Sequence, residues 1–476
     1  MRLQNSTLGQ VEQARLPDYD RRAVKAGIVH LGIGNFHRAH QAVYIDRCLK
    51  ADLHWGITGV SLRRSDMAEA LNPQDGLFGV VARGAAGSET RIIGSVLKVL
   101  SPTDGIANIL AQMVAPEIRI VTLTVTEKAY CHDPATGALD MRHPDIVADL
   151  AWPHTPRSVP GILVEALARR RAAGVAPFTV VSCDNLPSNG KVVRLIVKEF
   201  AARRDGALSA WIEDNVAFPC SMVDRIVPAT TADDRVAFEA MTGVRDAWPV
   251  VTENFSQWVL EDHFPQGRPD LNAAGVELVA DVAPYEQMKL RMLNGAHSTL
   301  AYYGLLLGHE TVFEAMSDPA LSSFVQHMWR EDIIPTLAMS HGKSLAYADA
   351  LRERFLNTSL RHRLSQIAMD VSQKIPQRLL NTIRDRISAG RRYDKLALAL
   401  AAWVFYLSEG EVNDPLAARF LVLSTKYMPD VSAFASALLD FKEIFGELCE
   451  NTGFRHLVVK NCLDIARLGP KAVLEN

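Results

Sequence analysis

The sequence predicts an α/β fold in its first half and a mainly α-helical second half. Short apolar, β-branched runs alternate with amphipathic stretches between residues 28 and 183. From Tyr285 onward the spacing is almost wholly helical. A composition shift near Asp281 to Tyr285 separates the two regimes. Strands that alternate with helices imply a mostly parallel sheet covered on both faces.

Ile28-Val-His-Leu-Gly-Ile reads as a strand running into a glycine turn, and Phe36 to Lys50 has helical spacing. Trp55 to Leu62 reads as the second strand and Ile118 to Val125 as the third, rich in β-branched residues. Ile162 to Ala173 is helical and leads to a further strand, Phe178 to Cys183. Beyond the boundary the expected helices are Met288 to Leu306, Pro319 to Ile334, Leu360 to Met369, Gln377 to Ala389, Lys395 to Ser408, Ala417 to Met428 and Val431 to Phe445. Their breaks fall at Ser317-Asp-Pro319, Ile375-Pro376 and Asp414-Pro415.

Gly32-Ile33-Gly34-Asn35-Phe36 follows the first strand and opens a helix, the context a dinucleotide-binding turn needs. Glycines let the backbone approach a pyrophosphate, and a helix N-terminus offers free N–H groups. The third glycine of the common pattern is replaced by His37. The expected division is a Rossmann-like dinucleotide-binding domain over 1–284 and a mainly helical substrate and catalytic domain over 285–476. At the end of the second strand stand Arg63 and Arg64 rather than an acidic residue, which leaves NAD against NADP open.

Composition excludes several classes. A net charge of -3, from 51 basic and 54 acidic residues, gives no support to a nucleic-acid-binding surface. The six cysteines are scattered and form no C-x-x-C pair, which argues against a thiolate metal site or a disulfide framework and fits the cytoplasm. No signal peptide is expected at the N-terminus, and no apolar run approaches the roughly 20 residues of a membrane span.

The densest cluster of chemistry is Lys289-Leu-Arg-Met-Leu-Asn294-Gly-Ala-His297. At about 100° per residue the three polar side chains fit an arc of about 140° on one helix. An amine that takes a proton, an amide that donates to an oxygen and a ring that orients the amine suit alcohol oxidation without a metal. Asn185 follows a strand end, where a parallel sheet lines its ligand crevice, and Glu127 and Asp224 occupy similar loops. His37 and His40 are three apart but lack the carboxylate of a zinc motif, so no metal is expected.

These segments resemble the long-chain mannitol dehydrogenase family of polyol-specific, metal-independent dehydrogenases. The matching pieces are Gly32 to Gln41, Thr124 to Tyr130, Ser182 to Asn185, Met222 to Ile226, the Lys289/Asn294/His297 helix and Gln373 to Pro376. The resemblance implies that Lys289 is the general base and acid. It implies that Asn294 and Asn185 polarise the substrate oxygen, and that His297 orients the lysine. Glu127 is then a proton relay, Asp224 a substrate-side carboxylate and Lys374 a residue near the substrate. Gly32, Ile33, Gly34, Asn35 and Phe36 are implied to bind the cofactor, NAD.

The expected activity is oxidation of a sugar alcohol to a ketose, D-mannitol to D-fructose first. Reduction of fructuronate to mannonate, or oxidation of D-arabinitol or D-sorbitol, are the alternatives within the class. A uronate needs a cationic partner, for which Arg361, Arg363 and Lys374 are candidates. A non-catalytic dinucleotide sensor is the alternative from another class, and the intact Lys289, Asn294 and His297 argue against it. A small polyol or ketose is the expected partner, and the resemblance implies a monomer.

Overall fold

A computed structural model of the 476-residue chain describes residues 1–84, 87–133, 136–358, 362–408 and 412–475. The chain divides into two compact units, Met1–Ala283 and Pro284–Asn476.

The first unit holds eleven strands among its described residues: β1 (Ala26–Leu31), β2 (Gly56–Val60), β3 (Phe78–Gly84), β4 (Gly87–Ile93), β5 (Val96–Leu100), β6 (Ile120–Leu123), β7 (Thr179–Ser182), β8 (Ser221–Asp224), β9 (Val250–Glu253), β10 (Gln257–Glu261) and β11 (Glu277–Val279). The central sheet has the order β5-β2-β1-β6-β7, and every neighbouring pair in it is parallel. Strands buried on both faces need apolar residues throughout, which is why they read as continuous apolar runs. Alternation deals their side chains to two cores. Val29, Leu31, Val121, Leu123 and Val180 enter one, and Ile28, Ile57, Ile120 and Val181 the other. Strand order reverses at β1, between β2 and β6, and such a reversal opens a ligand crevice at the carboxyl ends of the strands.

Seven strands beyond the four expected ones complete the unit. β5 extends the central sheet, β4-β3-β9 form one mixed three-stranded sheet and β11-β10-β8 another. The helix expected over Phe36 to Lys50 is broken. Asn35–Ala39 ends at His40, whose φ of -121° and ψ of -90° are not helical, and a new helix runs over Gln41–Cys48.

The second unit is helical. Asp394–Ser408 is its central helix, fully buried along most of its length, with Gly295–Leu306 and Thr452–Leu468 packed against it. Two long helices lie outside the sequence expectation, His341–Phe355 and Thr452–Leu468. Conversely, Val431 to Phe445 is two helices, Val431–Leu438 and Lys442–Phe445. The stretch expected to begin at Leu360 starts outside the described residues, as does Arg361. Its described part is the short helix Leu364–Ile367.

Three stretches of the second unit are π-helical rather than α-helical: Lys289–Asn294, Met328–Ile333 and Pro376–Leu380. Among the described residues no helix is long and apolar enough to cross a membrane. All six cysteines are buried, and none is joined in a disulfide.

Candidate active site

The first unit places the glycine turn at the carboxyl end of β1, on the crevice side of the central sheet. Gly32 has φ +96°, and an added Cβ would lie 2.1 Å from Thr124 O, so only glycine fits there. Gly34 is different. A Cβ there would meet nothing nearer than Gly32 O at 3.8 Å, so packing does not require a glycine. The space is instead free for a ligand to approach the backbone. No side chain caps the helix that starts at Asn35, and its first N–H groups stay available. These features fit a dinucleotide pyrophosphate.

The rest of the turn is anchored. Ile33 is buried against Gly59, where a Cβ would fall 2.4 Å from Ile33 Cδ1. Arg38 is fully buried and donates to Asn35 Oδ1 at 2.6 Å and to Trp248 O. Phe36 stacks on His40 with ring centroids 5.0 Å apart. His30, in mid-strand, hydrogen-bonds Thr122 and Thr124 at 2.7 and 2.9 Å and stacks on His37 at 3.5 Å. Burial drives both imidazoles toward the neutral form, His30 to a pKa of about 3. His40 donates from Nε2 to Gln257 O at 2.8 Å, so the i,i+3 histidines serve packing and strand contacts. Among the described residues no three His, Cys, Asp or Glu side chains gather in a way that could hold a metal.

Glu127 opens a short turn, Glu127–Tyr130, after β6, and Asn185 follows β7; both are exposed. Asp224 is the buried last residue of β8. A polar network that sequence reading missed ties the loops after β6 and β7 to each other and to the start of β8. The Asp184 carboxylate accepts from Val125 N and Thr126 N, both at 2.9 Å, and from the Tyr130 hydroxyl at 2.6 Å. Asn189 donates to Asp184 O at 3.1 Å and to Ser221 O at 2.8 Å, and Ser221 Oγ donates to Ser182 O. Asp184, Tyr130, Ser182 and Asn189 all lie within or beside the motifs that carried the resemblance. Only their partners were hidden.

In the second unit, Lys289, Asn294 and His297 lie on one continuous helical path, but not on an ideal α-helix. Lys289 and Asn294 are the two ends of the first π-helical segment, and His297 follows in the α-helix Gly295–Leu306. In a π turn the hydrogen bonds close over five residues. Residues five apart, which an α-helix would set about 140° apart, are thereby brought nearer one line. Trp329, buried in the second π segment, donates from its indole to Met292 O at 2.9 Å. Arg291 pins the same segment through Thr336 Oγ1 at 2.7 Å and Asp385 Oδ2 at 2.6 Å. The third π segment packs on it too, and a Cβ at Gly295 would lie 3.1 Å from Arg378 O.

His297 is buried, with Phe355 at 4.8 Å and His362 at 5.1 Å between ring centroids. Its Nε2 has no hydrogen-bond partner among the described residues. Burial, then the neighbouring His362 and the charges of Arg378, Arg354 and Lys289, hold its pKa well below the usual histidine value. The ring is therefore neutral and within electrostatic reach of Lys289. Lys374 is half-buried and donates from Nζ to Met369 O at 2.5 Å. Arg363, a candidate cation in the sequence, is exposed; the guanidiniums near His297 belong to Arg354 and Arg378, the latter donating to Ser298 Oγ at 3.1 Å. The signal for Arg354 was present. Ser344, Tyr347, Ala348, Leu351 and Phe355 place it on the buried face of their helix.

A parallel sheet with a glycine turn at its point of reversal makes the first unit a Rossmann domain. Family models match along nearly the whole chain: the mannitol dehydrogenase Rossmann domain over residues 26–273 and the mannitol dehydrogenase C-terminal domain over 281–466. The chain belongs to the mannitol dehydrogenase family and is a polyol dehydrogenase. It is 45% identical to the D-mannonate oxidoreductase of Escherichia coli (strain K12) over 92% of this chain and 93% of that protein. The Pseudomonas fluorescens mannitol 2-dehydrogenase, solved as a ternary complex with NAD and D-mannitol, is 38% identical. Its TM-score is 0.86, over 100% of this chain and 99% of that one. A D-sorbitol dehydrogenase solved in substrate-free form is 34% identical with a TM-score of 0.92, over 100% of both chains.

Proposed function

We propose that the protein oxidises a secondary hydroxyl of an open-chain sugar alcohol to a ketone, D-mannitol to D-fructose, with NAD as the cofactor. The observation that carries this is the Lys289–Asn294–His297 helix in a chain alike along its whole length to a mannitol 2-dehydrogenase that binds NAD and D-mannitol. In this reading residues 1–284 are the dinucleotide-binding domain and 285–476 the substrate and catalytic domain. Gly32, Ile33, Gly34, Asn35 and Phe36 hold the dinucleotide, which when bound supplies a hydride acceptor.

The protein's own groups handle the proton and the oxygen. Lys289 Nζ takes the hydroxyl proton, and Asn294 and Asn185 donate amide N–H groups to the oxygen as charge develops on it. A neutral His297 can hydrogen-bond the lysine or the substrate without adding a positive charge. Glu127, exposed after β6, passes the proton to solvent. Asp224 and Lys374 bind substrate hydroxyls. A monomer acting in the cytoplasm completes the reading.

A second reading has its own observation. Arg354 and Arg378 both bear on His297, and such a cationic surrounding suits a hexonate carboxylate. The 45% identity to a D-mannonate oxidoreductase supports it. One assay separates the two. The purified protein is mixed with NAD or NADP and with D-mannitol, D-sorbitol, D-arabinitol or D-mannonate, and the absorbance of the reduced cofactor is followed. Fastest turnover on D-mannitol with NAD is expected. A kcat/KM at least about tenfold higher on D-mannonate, about 1.4 kcal/mol, would install the second reading, and no turnover on any of them would overturn both.

A further inference from the structure

We propose that a cleft in the first unit, walled by Arg47, Arg91 and Arg225, binds a small polyvalent oxyanion of the phosphate type. The cleft measures about 320 Å³ and is also lined by Val43, Val80, Ala82, Ser88, Glu89 and Asn254. Its floor is one face of a hairpin. Val80 pairs with Arg91 and Ala82 with Glu89 across β3 and β4, so all four side chains share that face. Val43 and Arg47 stand one turn apart on the helix Gln41–Cys48 and form a wall. Arg225 and Asn254 follow directly on β8 and β9.

The charge balance in this cleft is one-sided. Among the described residues none of the three arginines forms an ion pair within 4 Å. The Arg91 guanidinium makes no hydrogen bond among those residues, and Arg47 makes one, to Ala274 O at 3.0 Å. Arg225 donates to Glu253 O and Ala39 O, which are neutral carbonyls. The one carboxylate in the lining, Glu89, is already engaged by Arg15 at 3.2 Å. Burial lowers the Arg225 pKa to about 10; Tyr44 and Glu253 oppose that shift, and the charges of Arg47 and Arg91 add to it. Three guanidiniums thus share one cleft whose lining holds a single carboxylate, and an oxyanion between them would supply the opposite charge. Ser88 and Asn254 add neutral donors suited to the same ligand. Arg225 also grips Ala39, the last residue of the helix after the glycine turn, so an anion held there would bear on that helix.

The test is calorimetric titration of the full-length protein with inorganic phosphate, at constant ionic strength set with sodium chloride. Saturable binding is expected. The double variant Arg47→Gln/Arg91→Gln should weaken it at least about tenfold, with its thermal unfolding in phosphate-free buffer unchanged, since both side chains reach solvent. Glu89→Gln should tighten it, because it removes the opposing carboxylate and releases Arg15. Absence of saturable binding to the unmutated protein would overturn the proposal. So would an affinity unaltered by the double variant, which would put the phosphate elsewhere, such as the glycine turn.

Discussion

The two units hold their candidate functional groups by opposite means. In the first, the positions are set by the carboxyl ends of parallel strands, and the loops are stapled to one another by side chains that bind backbone amides, Asp184 above all. In the second, one helical path carries Lys289, Asn294 and His297, and its geometry is set by a π-helical segment with two further π segments packed on it. The sheet unit positions groups by network, the helical unit by an irregularity in a regular element. A network tolerates the loss of one side chain at its edge. A helix that carries three groups in nine residues has no such redundancy.

Removal of the amine from that helix should have the largest effect. Lys289→Ala is expected to lower the rate of hydride transfer at least about 10²-fold, or about 2.7 kcal/mol, with small external amines restoring part of it. Its dinucleotide affinity, measured by fluorescence titration, should change little, since the glycine turn belongs to the first unit. Turnover within a few-fold of the unmutated protein in a folded variant would remove Lys289 from the mechanism and break the contrast at its most exposed point.

Each unit also buries an acid whose pKa is raised by burial. Asp246 in the first accepts from Gly79 N, Trp248 N and Gln74 Nε2. Asp332, in the second π segment, accepts from Leu396 N and lies 4.0 Å from Arg386. Burial raises the Asp332 pKa from 3.8 to about 6. The folded state then binds its proton more tightly than the unfolded chain does. Stability from this group is complete below the unfolded value and is lost as pH rises through about 6. Asp332→Asn keeps an acceptor for Leu396 N–H and removes the titration. Between about pH 4 and pH 8, the difference in unfolding free energy between variant and unmutated protein should move by about 2 kcal/mol in the variant's favour. A flat difference in denaturant titrations would mean that the acid is ionised at no cost.

Gly34→Ala probes the network side. The backbone at Gly34 is extended, at φ -110° and ψ -167°, and an alanine Cβ meets no neighbour. Stability should stay within about 0.5 kcal/mol, while KM for the dinucleotide rises about tenfold, about 1.4 kcal/mol, because the methyl group occupies the approach to the turn. An unchanged KM would sink the assignment of that space to a pyrophosphate.

The same contrast explains what could be read from the sequence. Of the five strands in the central sheet, four were legible as apolar runs. The mixed sheets were not, because β4 begins with the polar Gly87-Ser-Glu89 and β11 has three residues. The candidate residues were legible as letters in motifs, Lys289, Asn294 and His297 most of all. Their geometry was not. The spacing implied α-helical angles, and no residue type in Lys289 to Asn294 announces a π turn. The guanidiniums of Arg354 and Arg378 come from other helices, so the spacing that marks Arg354 as buried on its own helix does not report its approach to His297. Thr452–Leu468 is a different case. Phe454, Val458, Cys462 and Ile465 carry the helical spacing and Asn451 caps it, so this helix was there to be read.

The smallest expected effect tests whether the π segment matters for geometry or only for packing. Trp329 Nε1 donates to Met292 O, inside the segment between Lys289 and Asn294. A π turn leaves a carbonyl without its usual α-helical partner, and a buried acceptor without a donor costs about 1–3 kcal/mol. Trp329→Phe removes the donor and keeps an aromatic ring in the core. Loss of the bond alone should lower stability by about 1 kcal/mol in denaturant unfolding. If the indole also holds the π register, kcat should fall several-fold while KM for the dinucleotide stays constant, because Lys289 and Asn294 drift toward α-helical angles. If it serves packing only, the stability change appears alone and kcat is untouched. The second outcome would leave the π segment as a property of the helix's own sequence and of Arg291, and would shift the next substitution to Arg291→Lys, which keeps the charge but not the paired contacts to Thr336 and Asp385.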